Sequence, residues 1–261
     1  MDLQLGDKIV LITGASKGIG YACAEAFAAE GSQVALVSRS RENLDAAIAR
    51  MPRHKYAPIA IVADLTRAED ARRMVDTAER DLGPVDVLVN SAGAAHRYAP
   101  ADLDAKAWHD AMDAKFFSYV HAVDAVIKRM LERKRGAIVN IIGMGGKVAS
   151  PVHLPGGAAN SALMLATVGL AAAFGAKGIR INGINPGATM TGRVQQGLAA
   201  EARMTGLSET ELLAANQSKI PLKRYGTADE IARVALFLAS EQASYVTGAI
   251  VPMDGGLSSV I

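Results

Sequence analysis

A short stretch near the N-terminus, residues 13–20 (TGASKGIG), has the residue types and spacing that suit phosphate binding. Gly14, Gly18 and Gly20 stand at G-x-x-x-G-x-G, with Ser16, Lys17 and Ile19 between them. A turn without side-chain bulk lets backbone N–H groups approach a pyrophosphate. A helix starting there adds the partial positive charge of its first turn. The flanking segments meet both requirements. Residues 8–12 (KIVLI) are apolar and rich in β-branching, as a buried parallel strand should be. Residues 21–30 (YACAEAFAAE) read as a helix that Gly31 closes. Set between strand and helix, the glycines point to a dinucleotide-binding turn.

The elements that must hold this turn follow in alternation. Strands are expected over 33–37, 58–63, 85–89, 136–142 and 179–184, with a short last one at 249–253. Helices are expected over 41–50, 68–81, about 105–131, about 209–217 and 227–240. There is no repeat and no low-complexity linker. Residues 1–261 therefore read as one α/β Rossmann domain, a doubly wound, seven-stranded parallel sheet with helices on both faces.

Composition narrows the function classes. Half the residues are hydrophobic and the net charge is only +2, too mild to argue for nucleic acid. The lone Cys23 cannot form an internal disulfide, and residues 1–8 carry no signal-peptide core, so a cytoplasmic protein is expected. Residues 157–176 are uncharged, but Ala, Gly, Asn160, Ser161 and Thr167 make them too weakly apolar for a membrane span. Such a helix should be covered on all sides, one side facing the sheet and another a second subunit, so a homo-oligomer is expected. No His, Cys or carboxylate cluster has metal-ligand spacing.

The order of motifs resembles the short-chain dehydrogenase/reductase family along nearly the whole chain. The matching stretches are TGASKGIG, Asp64-Leu65, residues 90–93 (NSAG), 138–140 (IVN), Asn185-Pro186-Gly187 and 246–256 (VTGAIVPMDGG). The resemblance implies an oxidoreductase with a nicotinamide cofactor, a small-molecule substrate and a dimeric or tetrameric assembly. It also implies contacts from Asp64 and Leu65 to the adenine, and from Asn90, Ala92 and Gly93 to the adenosine ribose side. Pro186, Gly187, Thr189 and Thr191 would meet the nicotinamide amide and the phosphates. Dinucleotide folds that read a ribose 2′-OH carry an acidic residue at the end of the second strand. Here Ser38 and Arg39 stand there, and a hydroxyl and a guanidinium favour a 2′-phosphate. Lys17 adds a cation where NADP-preferring relatives often carry one. NADP(H) is expected over NAD(H), with solvated surface charge as the plainer account of both residues.

The catalytic positions depart from the family, whose members use Asn, Ser, Tyr and Lys. Laid on the family pattern, Gly143 stands at the Ser, Gly156 at the Tyr, Asn160 at the Lys and Lys115 at the Asn. Two readings follow: a catalytically silent cofactor-binding or scaffold subunit, or an enzyme with non-standard catalytic residues. The apparent exchange of Lys and Asn between 115 and 160 favours the second. In that reading Lys115 lies near the nicotinamide ribose and polarises or protonates a substrate oxygen. His153 lies on the loop that lines the cleft in relatives and has a side chain suited to acid–base work, and Asn160 completes the set. His96, Arg97, Tyr98 and Lys147 are further cleft candidates. The glycines at 143, 145, 146, 156 and 157 should widen the pocket or let backbone approach closely. Substrate choice is expected to rest on a lid segment at about 192–219.

Overall fold

The computed structural model describes residues 2–93 and 96–258. Parallel strands β1 (Ile9–Thr13), β2 (Gln33–Ser38), β3 (Ile59–Val62), β4 (Val87–Asn90), β5 (Gly136–Ile141) and β6 (Ile179–Pro186) form one sheet. They are joined by β9 (Ile250–Met253), in the order β3-β2-β1-β4-β5-β6-β9. Alternation along each strand decides which layer a side chain enters. From β1, Val10 and Ile12 pack with Phe27, Leu44 and Leu236, whereas Ile9 and Leu11 pack with Met74, Val126 and Met130. The first set brings α1 (Gly18–Ala29), α2 (Arg41–Arg50) and α9 (Ala228–Ala239) onto one face. The second brings α3 (Ala68–Asp81), α5 (Ser118–Arg133) and α6 (Leu154–Phe174) onto the other. The expected seven-stranded, doubly wound sheet is the observed one.

Three local features differ from expectation. The long helix expected over 105–131 is broken into α4 (Ala105–Ala111), a π-helical turn over Met112–Phe117, and α5. The cause lies opposite. Gly93, at φ +97°, presses so closely that a Cβ there would run into the Ala114 carbonyl. A wide turn takes up that approach by accommodating an extra residue, and such turns re-aim side chains. The segment at 192–219 holds two helices, α7 (Gly192–Thr205) and α8 (Glu209–Ser218), of which only the second was legible. A capping box explains why: Ser208 accepts from Glu211 N while the Glu211 carboxylate accepts from Ser208 N. A two-stranded pair, β7 (Thr189–Met190) with β8 (Gly226–Thr227), was not anticipated.

The uncharged helix α6 lies within residues 151–177, which, contrary to expectation, are long and apolar enough to cross a membrane by length and composition alone, an 18-residue window reaching a mean hydropathy of 1.5. It is a layer of the sandwich, and a polar relay joins it to the sheet. Thr13 Oγ1 donates to Asn90 Oδ1 (3.3 Å), Asn90 Nδ2 to Asn140 Oδ1 (3.0 Å), and Asn140 Nδ2 to Thr167 Oγ1 (3.0 Å). Thr167 in turn donates to the Leu163 carbonyl at 2.7 Å. All four side chains are buried. Buried amides are tolerated only when so paired, and each orphaned partner costs about 1–3 kcal/mol. Asn140→Ala strands the Asn90 amide and removes a donor from Thr167. It should lower the urea unfolding free energy by about 2–4 kcal/mol, against a change near zero for an exposed control such as Asp124→Ala.

Candidate active site

The glycine turn is shaped by backbone contact. Gly14 has φ +66°, and a Cβ on it would lie 2.8 Å from Ala92 Cα and from the Ser91 carbonyl oxygen. A Cβ on Gly20 would run into the Gly14 carbonyl. Thr13 holds the facing strand end, its Oγ1 accepting from Ser91 N (3.0 Å) and Ala92 N (3.1 Å). The first turn of α1 begins at Gly18 with no side-chain cap from Lys17, so its N–H groups are left to an anion, the arrangement that binds pyrophosphate.

From the other side, the Thr191 methyl lies 3.8 Å from the place a Gly18 Cβ would occupy. The arm bearing Pro186, Gly187 and Thr189 is anchored by Gly187 N donating to the Met253 carbonyl at 2.9 Å. Gly187 must lack a side chain, because a Cβ would sit 2.7 Å from that of Asp254. The turn and the arm together make a bulk-free cradle that fits a dinucleotide.

Cations stand where β2 ends beside the turn. Ala15 N donates to the Val37 carbonyl at 3.1 Å, which lays Ser38 and the exposed Arg39 against the turn. Ser38 Oγ donates to the Ser40 carbonyl (3.1 Å), and Lys17 is exposed. Arg50, which the sequence did not single out, donates to the Ser16 carbonyl at 3.0 Å and stacks 3.8 Å over the Tyr21 ring. Asp64 caps its own turn, accepting from Thr66 N and Oγ1, and Leu65 is buried. One expected contact is corrected. The Asn90 side chain is fully buried and committed to Thr13 and Asn140, so it supports the turn from behind instead of meeting the ribose.

At the opposite end, the π-helical turn carries Lys115 inward, leaving it 8% exposed. Its Nζ donates to Tyr119 Oη (2.9 Å) and to the Ile141 carbonyl (3.1 Å), at the end of β5 and just before Gly143. Gly143 N donates to Asn185 Oδ1 (3.3 Å), tying the loop after β5 to β6. Asn160 is 6% exposed and projects its Nδ2 to 3.2 Å from the Cβ place of Gly143 and 3.5 Å from that of Gly145. His153 Cδ2 lies 3.3 Å from the same Gly145 place, so loop, amide and imidazole meet there. Asn160 Oδ1 and His153 Nδ1 are both buried with no hydrogen-bond partner among the described residues. Burial, followed by the positive charge of Arg97, lowers the His153 pKa, and the Lys115 charge adds to this, against a raising contact with the His96 backbone. Tyr98 N donates to the Val152 carbonyl (3.1 Å), closing the 96–98 loop over His153.

At 145 and 157 the missing side chains serve a contact between two backbone segments, which neither a wider pocket nor an approach to a substrate had anticipated. A Cβ on Gly157 would lie 2.7 Å from the Gly145 carbonyl, so the loop seats directly on the first turn of α6. Gly156 is buried in that turn and offers no group to a substrate. Lys115, His153 and Asn160 thus converge around the loop that carries Gly143. Tyr119 was missed, though its i+4 spacing from a lysine is a readable signal.

Known proteins share the sequence pattern and the fold. The family model described as enoyl-(acyl carrier protein) reductase matches residues 14–258. The 2-(S)-hydroxypropyl-CoM dehydrogenase 3 of Xanthobacter autotrophicus is 34% identical over 261 residues, covering 100% of both chains. The D-threitol dehydrogenase of Mycolicibacterium smegmatis is 34% identical over 98% of this chain and 94% of its own. Among solved structures, L-sorbose reductase from Gluconobacter frateurii, complexed with NADPH and L-sorbose, superposes with a TM-score of 0.95. It shares 26% identity over 100% of both chains. A glycine cradle of this shape, on this sheet and with these relatives, makes the chain a member of the short-chain dehydrogenase/reductase family, an oxidoreductase that uses a nicotinamide cofactor.

Proposed function

We propose that the protein is an NADP(H)-dependent reductase or dehydrogenase acting on a small ketone/alcohol pair, with Lys115 and His153 doing the proton work. The observation that carries this reading is the buried Lys115 ammonium at the end of β5, close enough to His153 for its charge to act on the imidazole. Gly14, Ser16, Gly18, Ile19 and Gly20 would hold the pyrophosphate, and Thr189 and Thr191 the nicotinamide side. Arg39 and Lys17, with Arg50 bracing Ser16, supply positive charge for a 2′-phosphate. The cofactor, when bound, donates or accepts a hydride at the substrate carbon.

The rest is the work of side chains. In reduction, Lys115 gives a proton to the carbonyl oxygen as it becomes an alkoxide, and in oxidation it takes that proton back. His153, kept neutral by burial and by Arg97, orients the same oxygen. The orphaned Asn160 Oδ1 accepts from a hydroxyl of ribose or substrate, which relieves the cost of its burial. Helices α7 and α8 would form the lid. The alcohol and sugar chemistry in the names of the relatives supports a hydroxylated or keto substrate. The exposed side of α6, with Leu165 at 77% exposure, is the face that self-association would bury.

NADPH oxidation against a panel of ketones, enones and imines tests the reading. Lys115→Ala should lower kcat/KM by about 10²-fold or more, and His153→Ala by a smaller factor. Cofactor binding with no turnover on any substrate would favour the silent-subunit alternative. Arg39→Ala should weaken NADPH about tenfold and leave NADH nearly unchanged, read by fluorescence titration. Because the His153 pKa is lowered, the neutral form persists below the usual histidine range, and activity should fall only as pH drops through that depressed value. Arg97→Gln removes a positive neighbour and should move this acid limb to higher pH.

A further inference from the structure

The buried lysine does not hold its place alone. Tyr119 is 1% exposed, one helical turn beyond Lys115, and its hydroxyl donates to the Ile141 carbonyl that Lys115 Nζ also reaches. The ammonium therefore meets the phenol oxygen at 2.9 Å and the carbonyl at 3.1 Å. A buried phenol needs one partner, and the carbonyl already serves. The second contact, to a cation, does something more. Lysine has four flexible bonds, and an ammonium in a low-dielectric site is stable only where oxygens and ring faces replace water.

We propose that Tyr119 is the positioning residue for Lys115, clamping its ammonium to the last carbonyl of β5 so that it stands beneath Gly143, where the family's hydroxyl group is missing. This rests on the assignment of Lys115 as proton donor. One contact with the phenol oxygen, and a second with the carbonyl that the phenol also grips, make a closed three-membered unit. The π-helical turn is what brings the lysine within reach of it. Burial also raises the Tyr119 pKa, so the phenol stays protonated and serves as a neutral clamp while the lysine carries the exchangeable proton.

Tyr119→Phe keeps the ring in the core and removes only the hydroxyl. Its expected signature is a fall of about tenfold in kcat, with KM for NADPH and the melting temperature little changed. In the Lys115→Met background the same substitution should cost nothing further, since groups acting as a unit are not additive. A crystal structure of Tyr119→Phe should show Nζ displaced from the Ile141 carbonyl. Equal losses in both backgrounds, or an ammonium that stays on that carbonyl without the phenol, would overturn the proposal. The crystallographic comparison needs no turnover. Failure of the clamp is therefore distinguishable from failure of Lys115 as the donor, which would show as full activity in Lys115→Met.

Discussion

The site hangs on the buried relay from Thr13 through Asn90 and Asn140 to Thr167. Asn90 and Asn140 face each other in the register of β4 and β5, so a main-chain pairing is repeated in the side chains. One end of the relay fixes the turn at Ser91 and Ala92, against which Gly14 packs, and the other fixes α6, which carries Asn160. In a low-dielectric core every member must be satisfied, and a fully satisfied network specifies one arrangement of its strands. The glycine turn and the first turns of α6 are thereby held in one frame.

Within that frame, the second constraint is a buried cation. A desolvated ammonium is costly, and here it is met by a carbonyl at a strand end and a phenol oxygen. Its field helps to keep His153 neutral. One charged and one neutral group near the same loop is the division that acid–base chemistry needs, since two like charges at close quarters suppress each other. Two further glycines of this segment, Gly145 and Gly157, act as contact points, because their lack of side chains lets the loop rest on α6.

Relatives acting on an alcohol with a coenzyme M tail and on a four-carbon polyol align over nearly the whole chain at similar identity. The fold is therefore common to chains whose names carry different alcohols.

Period and punctuation were enough for the seven-stranded parallel sheet, its covering helices and the glycine turn between strand and helix. These depend on neighbours in sequence: β-branched runs, a turn of glycines and the residue after a strand. What only the tertiary structure decided depends on residues far apart in the chain. Gly93 against Ala114 makes the π-helical turn, and no local propensity announces a π turn. Asn90 was read as a ligand contact because its motif sits at the cofactor, and only its pairing across strands with Asn140 turns it inward. Arg50 and Tyr119 acquire meaning from partners 34 and 22 residues distant, Ser16 and Ile141. Spacing along the chain sets which faces exist, whereas which groups share a buried volume is fixed by how those faces pack.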